Sequence, residues 1–199
     1  MSVRIVAIVG SYRKGGSIDR AVEEILTAAR ERGAITETIQ LLDRHLEFCT
    51  NCRACTQAPG TERGCCTHKD DLEQILASVD AADALVLAAP VNFYNVTALF
   101  RRFMERLVGY AYWPWGQGAP KMRGSKLRRK AVLVTAAGMP GFLIPFFTGA
   151  VSALQRTAKV LGAHTVGKLL IGLAAIEPNK PLSKGVLRQA RALGAELAG

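Results

Sequence analysis

Short apolar runs alternate along the chain with longer segments whose apolar residues recur at helical spacing. The apolar and alternating runs predict five strands, at 3–9, 35–41, 84–89, 131–135 and 165–171. Helical spacing follows each strand, at 19–32, 70–78, 96–108, 149–161 and 182–197. This order predicts an α/β fold with a doubly wound five-stranded parallel sheet and helices on both faces. Ligands of such sheets bind beyond the carboxyl ends of the strands, so we expect the chemistry there.

Length and composition predict a single globular domain over 1–199, with a cysteine-bearing loop at 45–69. The chain has 199 residues, of which 49% are hydrophobic and 21% charged. A glycine-rich basic loop follows the apolar start in place of a cleavage site, so we expect a cytoplasmic protein without a signal peptide. Residues 131–155 carry no formal charge, but Pro140, Gly141 and Pro145 interrupt them. A buried strand and helix are therefore favoured over a membrane span.

The net charge of +10 is concentrated in the second half of the chain. Residues 1–99 hold 10 basic and 13 acidic side chains, whereas residues 100–199 hold 16 and 3. One basic segment combines Lys121, Arg123, Lys126, Arg128, Arg129 and Lys130. It is either a solvated loop or a site for an anionic cofactor or an acidic protein partner. No nucleic-acid-binding motif accompanies it, so we do not expect a nucleic-acid partner.

The loop after the first strand has the composition of an anion site. It reads Gly10-Ser-Tyr-Arg-Lys-Gly-Gly-Ser-Ile18 and leads into a helix. Glycines, hydroxyls, an arginine and the free N–H groups of a helix start suit a phosphate. The glycine spacing fits neither dinucleotide nor triphosphate motifs, which favours a nucleotide monophosphate over a flexible turn. The candidate contacts are Ser11, Arg13, Gly16, Ser17 and Ile18.

Two further loops follow the third and fourth strands. Backbone N–H groups and aromatic faces there suit a planar ring, although each loop alone is equally well explained as an ordinary turn. The candidate ring contacts are Pro90, Val91, Asn92, Phe93, Tyr94 and Asn95 on one side and Thr135, Ala136, Ala137 and Gly138 on the other. An aromatic cluster at 110–115 is a lid, a dimer interface or a satellite core.

All five cysteines lie between Cys49 and Cys66. Cys49, Cys52 and Cys55 are spaced so that three thiolates can converge on one metal centre, and a fourth from about ten residues further on can complete it. A 4Fe-4S cluster, zinc and free thiols all remain open at this point.

These motifs resemble the NADPH-dependent FMN reductase family. Gly10, Ser11 and Arg13 match its phosphate loop, and the 90–97 and 101–106 segments match its ring loop and following helix. The cysteines resemble those of the iron-sulfur flavoprotein branch, with Cys66 as the fourth ligand before Asp70-Asp71. The resemblance implies a flavodoxin-like fold, FMN as cofactor, NAD(P)H as electron donor and a 4Fe-4S cluster on Cys49, Cys52, Cys55 and Cys66.

The expected function is an FMN-dependent NAD(P)H oxidoreductase that passes hydride to FMN and electrons on to a quinone, a flavin, the cluster or a protein. FMN carries out the hydride chemistry, so no catalytic side chain is assigned. We expect a homodimer or homotetramer. The alternative is a non-enzymatic FMN and iron-sulfur electron carrier or redox sensor.

Overall fold

The computed structural model describes residues 2–124, 128–177 and 180–199. Lys126 of the basic segment lies outside the described residues. No helix within the described ranges is long and apolar enough to cross a bilayer.

Five parallel strands form the central sheet. They are β1 (Arg4–Val9), β2 (Ile35–Gln40), β3 (Ala84–Ala88), β4 (Arg129–Ala136) and β5 (Ala163–Ile171). The strand order is β2-β1-β3-β4-β5, with every neighbouring pair parallel. This is the flavodoxin-like order, whose direction of winding reverses between β1 and β3. The predicted doubly wound sheet is confirmed.

Within the described residues, six helices accompany the sheet. They are α1 (Ser17–Arg30), α2 (Leu72–Asp80), α3 (Ala98–Glu105), α4 (Ile144–Phe147), α5 (Ala150–Val160) and α6 (Lys184–Ala198). Side chains of a strand point alternately to its two faces, and β1 is buried on both. Ile5, Ala7 and Val9 pack with α1 and α6, whereas Val6 and Ile8 pack with α2, α3 and α5. The helices therefore cover both faces, as the sequence predicts.

The predicted helix at 96–108 is shorter in the structure. A two-stranded hairpin, Val91–Asn92 paired with Asn95–Val96, comes first. Thr97 then caps α3, because its hydroxyl accepts a hydrogen bond from the N–H of Phe100 at 3.2 Å. After Glu105 the chain tightens into a 3₁₀ turn over Arg106–Tyr110, which packs against the cysteine loop.

Candidate functional site

A cleft of about 370 Å³ lies beyond the carboxyl ends of the strands, a volume within the range of small-ligand sites. The loops after β1, β3, β4 and β5 meet there, at the point where the strand order reverses. Its lining consists of Ser11, Tyr12, Arg13, Gly16, Ser17, Ile18, Pro90, Val91, Asn92, Thr97, Ala136, Ala137, Gly138, Ala174, Ala175 and Glu177.

The loop after β1 presents hydrogen-bond donors to the cleft. The Ser11 hydroxyl accepts from the N–H of Arg13 at 3.1 Å, which curls the loop. Gly16 precedes α1 without a side-chain cap, and no hydrogen bond among the described residues uses the N–H of Ser17 or Ile18. These N–H groups lie at the positive end of the helix dipole, next to the Arg13 side chain. The arrangement suits a phosphate dianion.

The floor of the cleft joins β1 to α3. The Thr97 hydroxyl, in a side chain that is 1% exposed, donates to the carbonyl of Gly10 at 2.6 Å. A Cβ on Gly10 would lie 2.6 Å from the Cβ of Phe100, so only glycine permits this approach. The Tyr12 hydroxyl accepts from the N–H of Leu99 at 3.1 Å. These contacts fix the phosphate loop to the start of α3.

Small residues from β4 and β5 form the opposite wall. The N–H of Ala137 donates to Ile171 at 2.9 Å, and the N–H of Ala174 donates to Ala137 at 2.9 Å. The N–H groups of Gly138 and Ala175 have no partner among the described residues. A flat group between these loops would therefore meet methyl groups and free amide donors. Sequence reasoning missed Ala174, Ala175 and Glu177, although β5 ends at the same edge as the other strands.

Most of the predicted contacts line the cleft, but four do not. The Asn95 side chain packs against Gly149, and the carbonyl of Tyr94 accepts from the N–H of Gly149 at 2.8 Å. Phe93 points into solvent. Thr135 is 1% exposed on the strand face opposite Ala136, and its hydroxyl has no partner among the described residues. These four lie beside the cleft, and their contact with a ligand stays a prediction.

Five exposed aromatic side chains lie on two segments that meet at the hydrogen bond from the N–H of Gly149 to the carbonyl of Tyr94. This aromatic surface consists of Phe93, Tyr94, Phe142, Phe146 and Phe147, which are 93%, 69%, 71%, 81% and 62% exposed. Phe93 and Tyr94 form the hairpin turn with φ of 46° and 63°, a left-handed conformation that aromatic residues rarely adopt. So much exposed aromatic area is uncommon on a monomeric protein.

The cysteine loop is anchored by a buried ion pair. The side chains of Arg106 and Asp70 are both 0% exposed. Arg106 also donates to the carbonyl of Glu47 at 2.7 Å and to the Cys66 sulfur at 3.3 Å. Burial raises the pKa of Asp70, but hydrogen bonds from Arg106 and from the N–H groups of Glu47 and Leu72 outweigh it, so this pKa lies below its usual value.

The thiol of Cys55 lies among three other cysteines. Burial raises the pKa of Cys55, and the thiols of Cys66, Cys49 and Cys52 raise it further. Cys65 is exposed. The residues around Cys55 are those assigned as ligands from the sequence. In the described ranges, however, no three His, Cys, Asp or Glu side chains converge on one metal position.

The aromatic cluster at 110–115 packs on the cysteine loop. The Arg53 guanidinium lies 3.8 Å from the ring centre of Trp113 and 4.1 Å from that of Trp115. It also donates to the carbonyl of Trp113 at 2.6 Å. Trp115 is nevertheless 66% exposed, so the choice between a lid, a dimer interface and a satellite core stays a prediction.

The described part of the basic segment lies away from the cleft. Arg123 donates to the carbonyls of Gly109, Ala111, Gly60 and Cys55, and so braces the cysteine loop. Arg129, at the amino end of β4, donates to the carbonyls of Ala82, Leu161 and Asp80. Lys130 donates to the carbonyl of Glu196. These side chains tie loops and helix ends together, at the opposite end of β4 from the cleft in the case of Arg129 and Lys130.

Comparisons with known proteins agree with this geometry. The model of the NADPH-dependent FMN reductase family matches residues 3–173. An iron-sulfur flavoprotein of Methanocaldococcus jannaschii is 36% identical over 104 residues, which are 52% of this chain and 51% of that protein. One from Archaeoglobus fulgidus is 29% identical over 116 residues, 58% of this chain and 50% of that protein. The chain spans about half the length of the curated relatives it matches.

Among solved structures, the NAD(P)H:quinone oxidoreductase of Methanothermobacter marburgensis superposes with a TM-score of 0.69. The superposition covers 100% of this chain and 98% of that one, at 20% sequence identity. At this identity the likeness shows a shared fold.

Proposed function

The chain belongs to the NADPH-dependent FMN reductase family, and from that membership we propose that it binds FMN in the cleft and acts as an NAD(P)H-dependent oxidoreductase. The observation that carries the proposal is the pairing of a phosphate-type loop with a small-residue wall in one cleft. When bound, FMN supplies the hydride chemistry.

The loop after β1 would hold the phosphate of FMN. The unpaired N–H groups of Ser17 and Ile18 and the Arg13 guanidinium would replace its hydration with directed donors. One helix start and one arginine match a single terminal phosphate, so FMN fits better than a dinucleotide.

The other loops would orient the ring. Asn92 presents a carboxamide with no partner among the described residues, and Gly138 and Ala175 present free N–H groups. Such groups can hydrogen-bond the polar edge of a ring while the methyl groups of Ala136 and Ala137 contact its face and exclude water. The residues thereby bind and orient, and no side chain is required as an acid or base.

Binding of flavin tests this proposal. Released flavin should chromatograph as FMN and not FAD, and Arg13→Ala should weaken FMN binding while the exposed Arg32→Ala leaves it unchanged. A flavin-free protein without micromolar affinity for FMN would contradict it. Rapid bleaching of bound flavin at 450 nm by NADPH or NADH would establish the donor, and acceptor assays with quinone and free flavin would identify the class of acceptor.

We further propose that Cys49, Cys52, Cys55 and Cys66 hold a 4Fe-4S cluster. The four thiols lie in one loop, and thiolates at short spacing select iron-sulfur or zinc centres. The curated relatives that the chain matches are iron-sulfur flavoproteins, which favours the cluster over zinc.

The second candidate function, an electron carrier or redox sensor, is favoured by the position of this loop. α3 begins at the cleft floor, and Arg106 follows its last residue and contacts Cys66. Seven residue steps separate Leu99 from Arg106, which correspond to about 10 Å along the helix. A carrier would be reduced by a partner protein but not bleached by NAD(P)H, so the same 450 nm experiment separates the two functions.

We also propose that the aromatic surface is the contact between two copies of the chain. At about 200 Å² per aromatic side chain, the exposed fractions amount to roughly 750 Å² on each copy, close to the area of a standard interface. Sedimentation should show a homodimer or a larger homo-oligomer, and Phe146→Ser should shift it toward monomer. A monomeric wild-type protein would contradict this. An acidic protein partner remains a separate expectation from the net charge.

A further inference from the structure

Arg106 connects the end of α3 to the interior of the cysteine loop. The residue as a whole is only 3% exposed. Arginine is seldom buried without partners, and here the partners are present. Its Nη1 donates hydrogen bonds to the Asp70 carboxylate and to the Glu47 carbonyl. Nη2 donates to both Asp70 and the Cys66 sulfur, each at 3.3 Å. The carboxylate therefore neutralises the guanidinium and fixes its plane, while one N–H remains directed at sulfur.

A small cavity lies behind the same thiols. It measures about 10 Å³, enough for about one water molecule, and its lining includes Cys55, Cys66, Arg106 and Tyr110. Arg106 Nε and the Tyr110 hydroxyl are buried and have no partner among the described residues. Polar atoms in such a place normally find a partner. The interior side of the thiols is thus faced by donors, from a cation and a phenol.

We propose that Arg106 is a positioning residue for the sulfur centre: it fixes the Cys66 sulfur and, by donating to it, makes a centre held there easier to reduce. The role rests on the iron-sulfur cluster proposed above. One-electron reduction adds negative charge to the centre, and hydrogen bonds to its sulfurs stabilise that charge. An ion pair with Asp70 alone would anchor the loop without any donor directed at a thiol.

The experiment is a reductive titration of the anaerobically purified protein with dithionite, followed by electron paramagnetic resonance, together with iron and sulfide analysis. Arg106→Gln is compared with Arg106→Lys, which keeps the positive charge, and with Arg101→Gln, an exposed arginine on the same helix. Arg106→Gln should retain the cluster but reduce the equilibrium constant for its reduction about tenfold. For one electron this is about 59 mV toward lower potential. The potential of Arg106→Lys should lie between those of the wild type and Arg106→Gln, and the potential of Arg101→Gln should equal that of the wild type.

Loss of a buried cation can also unfold the loop, because Asp70 is left unpaired. The double variant Arg106→Gln/Asp70→Asn removes both charges and should show the same lowered potential. An unchanged potential in cluster-containing Arg106 variants would overturn the role of Arg106 and leave the cluster standing. Wild-type protein without iron and sulfide would overturn the cluster itself, and the role with it, while FMN binding would remain as a separate result.

Discussion

Replacement of Thr97 tests how the floor of the cleft is built. Its hydroxyl makes two buried hydrogen bonds, donating to Gly10 and accepting from Phe100. Thr97→Val keeps the shape of the side chain but loses both. Loss of a helix cap costs about 1 kcal/mol, and a buried carbonyl left without its donor costs about 1–3 kcal/mol. The expected decrease in the free energy of unfolding is therefore about 2–4 kcal/mol.

Thr97→Ser is the matched control, because it keeps the hydroxyl and loses one methyl group, which costs about 1 kcal/mol. Urea unfolding should be measured on flavin-free protein, since bound ligand adds stability of its own. For a chain of this size, the difference from wild type corresponds to about 5–10 °C in Tm for Thr97→Val. Because Thr97 lines the cleft, FMN affinity should also fall in the valine variant. Equal stability of the two variants would refute the assigned hydrogen bonds.

Three other predictions concern the cleft, the cysteines and the basic segment. Arg13→Ala should weaken FMN by about 1.5–3 kcal/mol, the range for a charge-assisted hydrogen bond, as read from fluorescence titration; an unchanged Kd would remove Arg13 from the phosphate site. Cys52→Ser should lose the broad absorption near 400 nm and about four iron and four sulfide per chain while keeping FMN, whereas Cys65→Ser should keep all of them. Arg129→Ala should destabilise the fold by about 1 kcal/mol in urea because three carbonyls, two of them in part-buried hydrogen bonds, lose their donor, whereas Arg128→Ala should not. Equal effects of the two arginine substitutions would contradict the structural role.

The sheet and its helices could be predicted from the sequence because each depends on local periodicity. The phosphate loop could be predicted for the same reason, since Gly10 to Ile18 are contiguous. Arg106 belongs to the segment that matches the helix of the resembled family, but its role could not be predicted, because its partners are 36 to 59 residues away. The sequence places Gly10 in the phosphate loop, but the requirement for glycine there comes from Phe100, which reaches it only in the folded chain.

The basic segment shows the opposite difficulty. A run of like charges in the sequence suggests a binding surface, yet Arg123 and Arg129 each reach several backbone carbonyls at the ends of other elements. The sequence gives the charge of a side chain but not the carbonyls left unpaired by distant helices and loops. Arg123 and Arg129 thus brace neighbouring elements, and an anionic partner for this segment stays a prediction.

Because Arg53 stacks on tryptophan rings, tryptophan fluorescence can report on the cysteine loop. The chain has two tryptophans, and both rings lie against this one guanidinium, whose residue sits between Cys52 and Ala54. Any rearrangement of the loop changes the polarity around both indoles together, while the rest of the molecule contributes no indole emission. Tryptophan fluorescence should therefore follow events at the cysteines in real time, without a label and at a wavelength well below the absorption of a flavin at 450 nm.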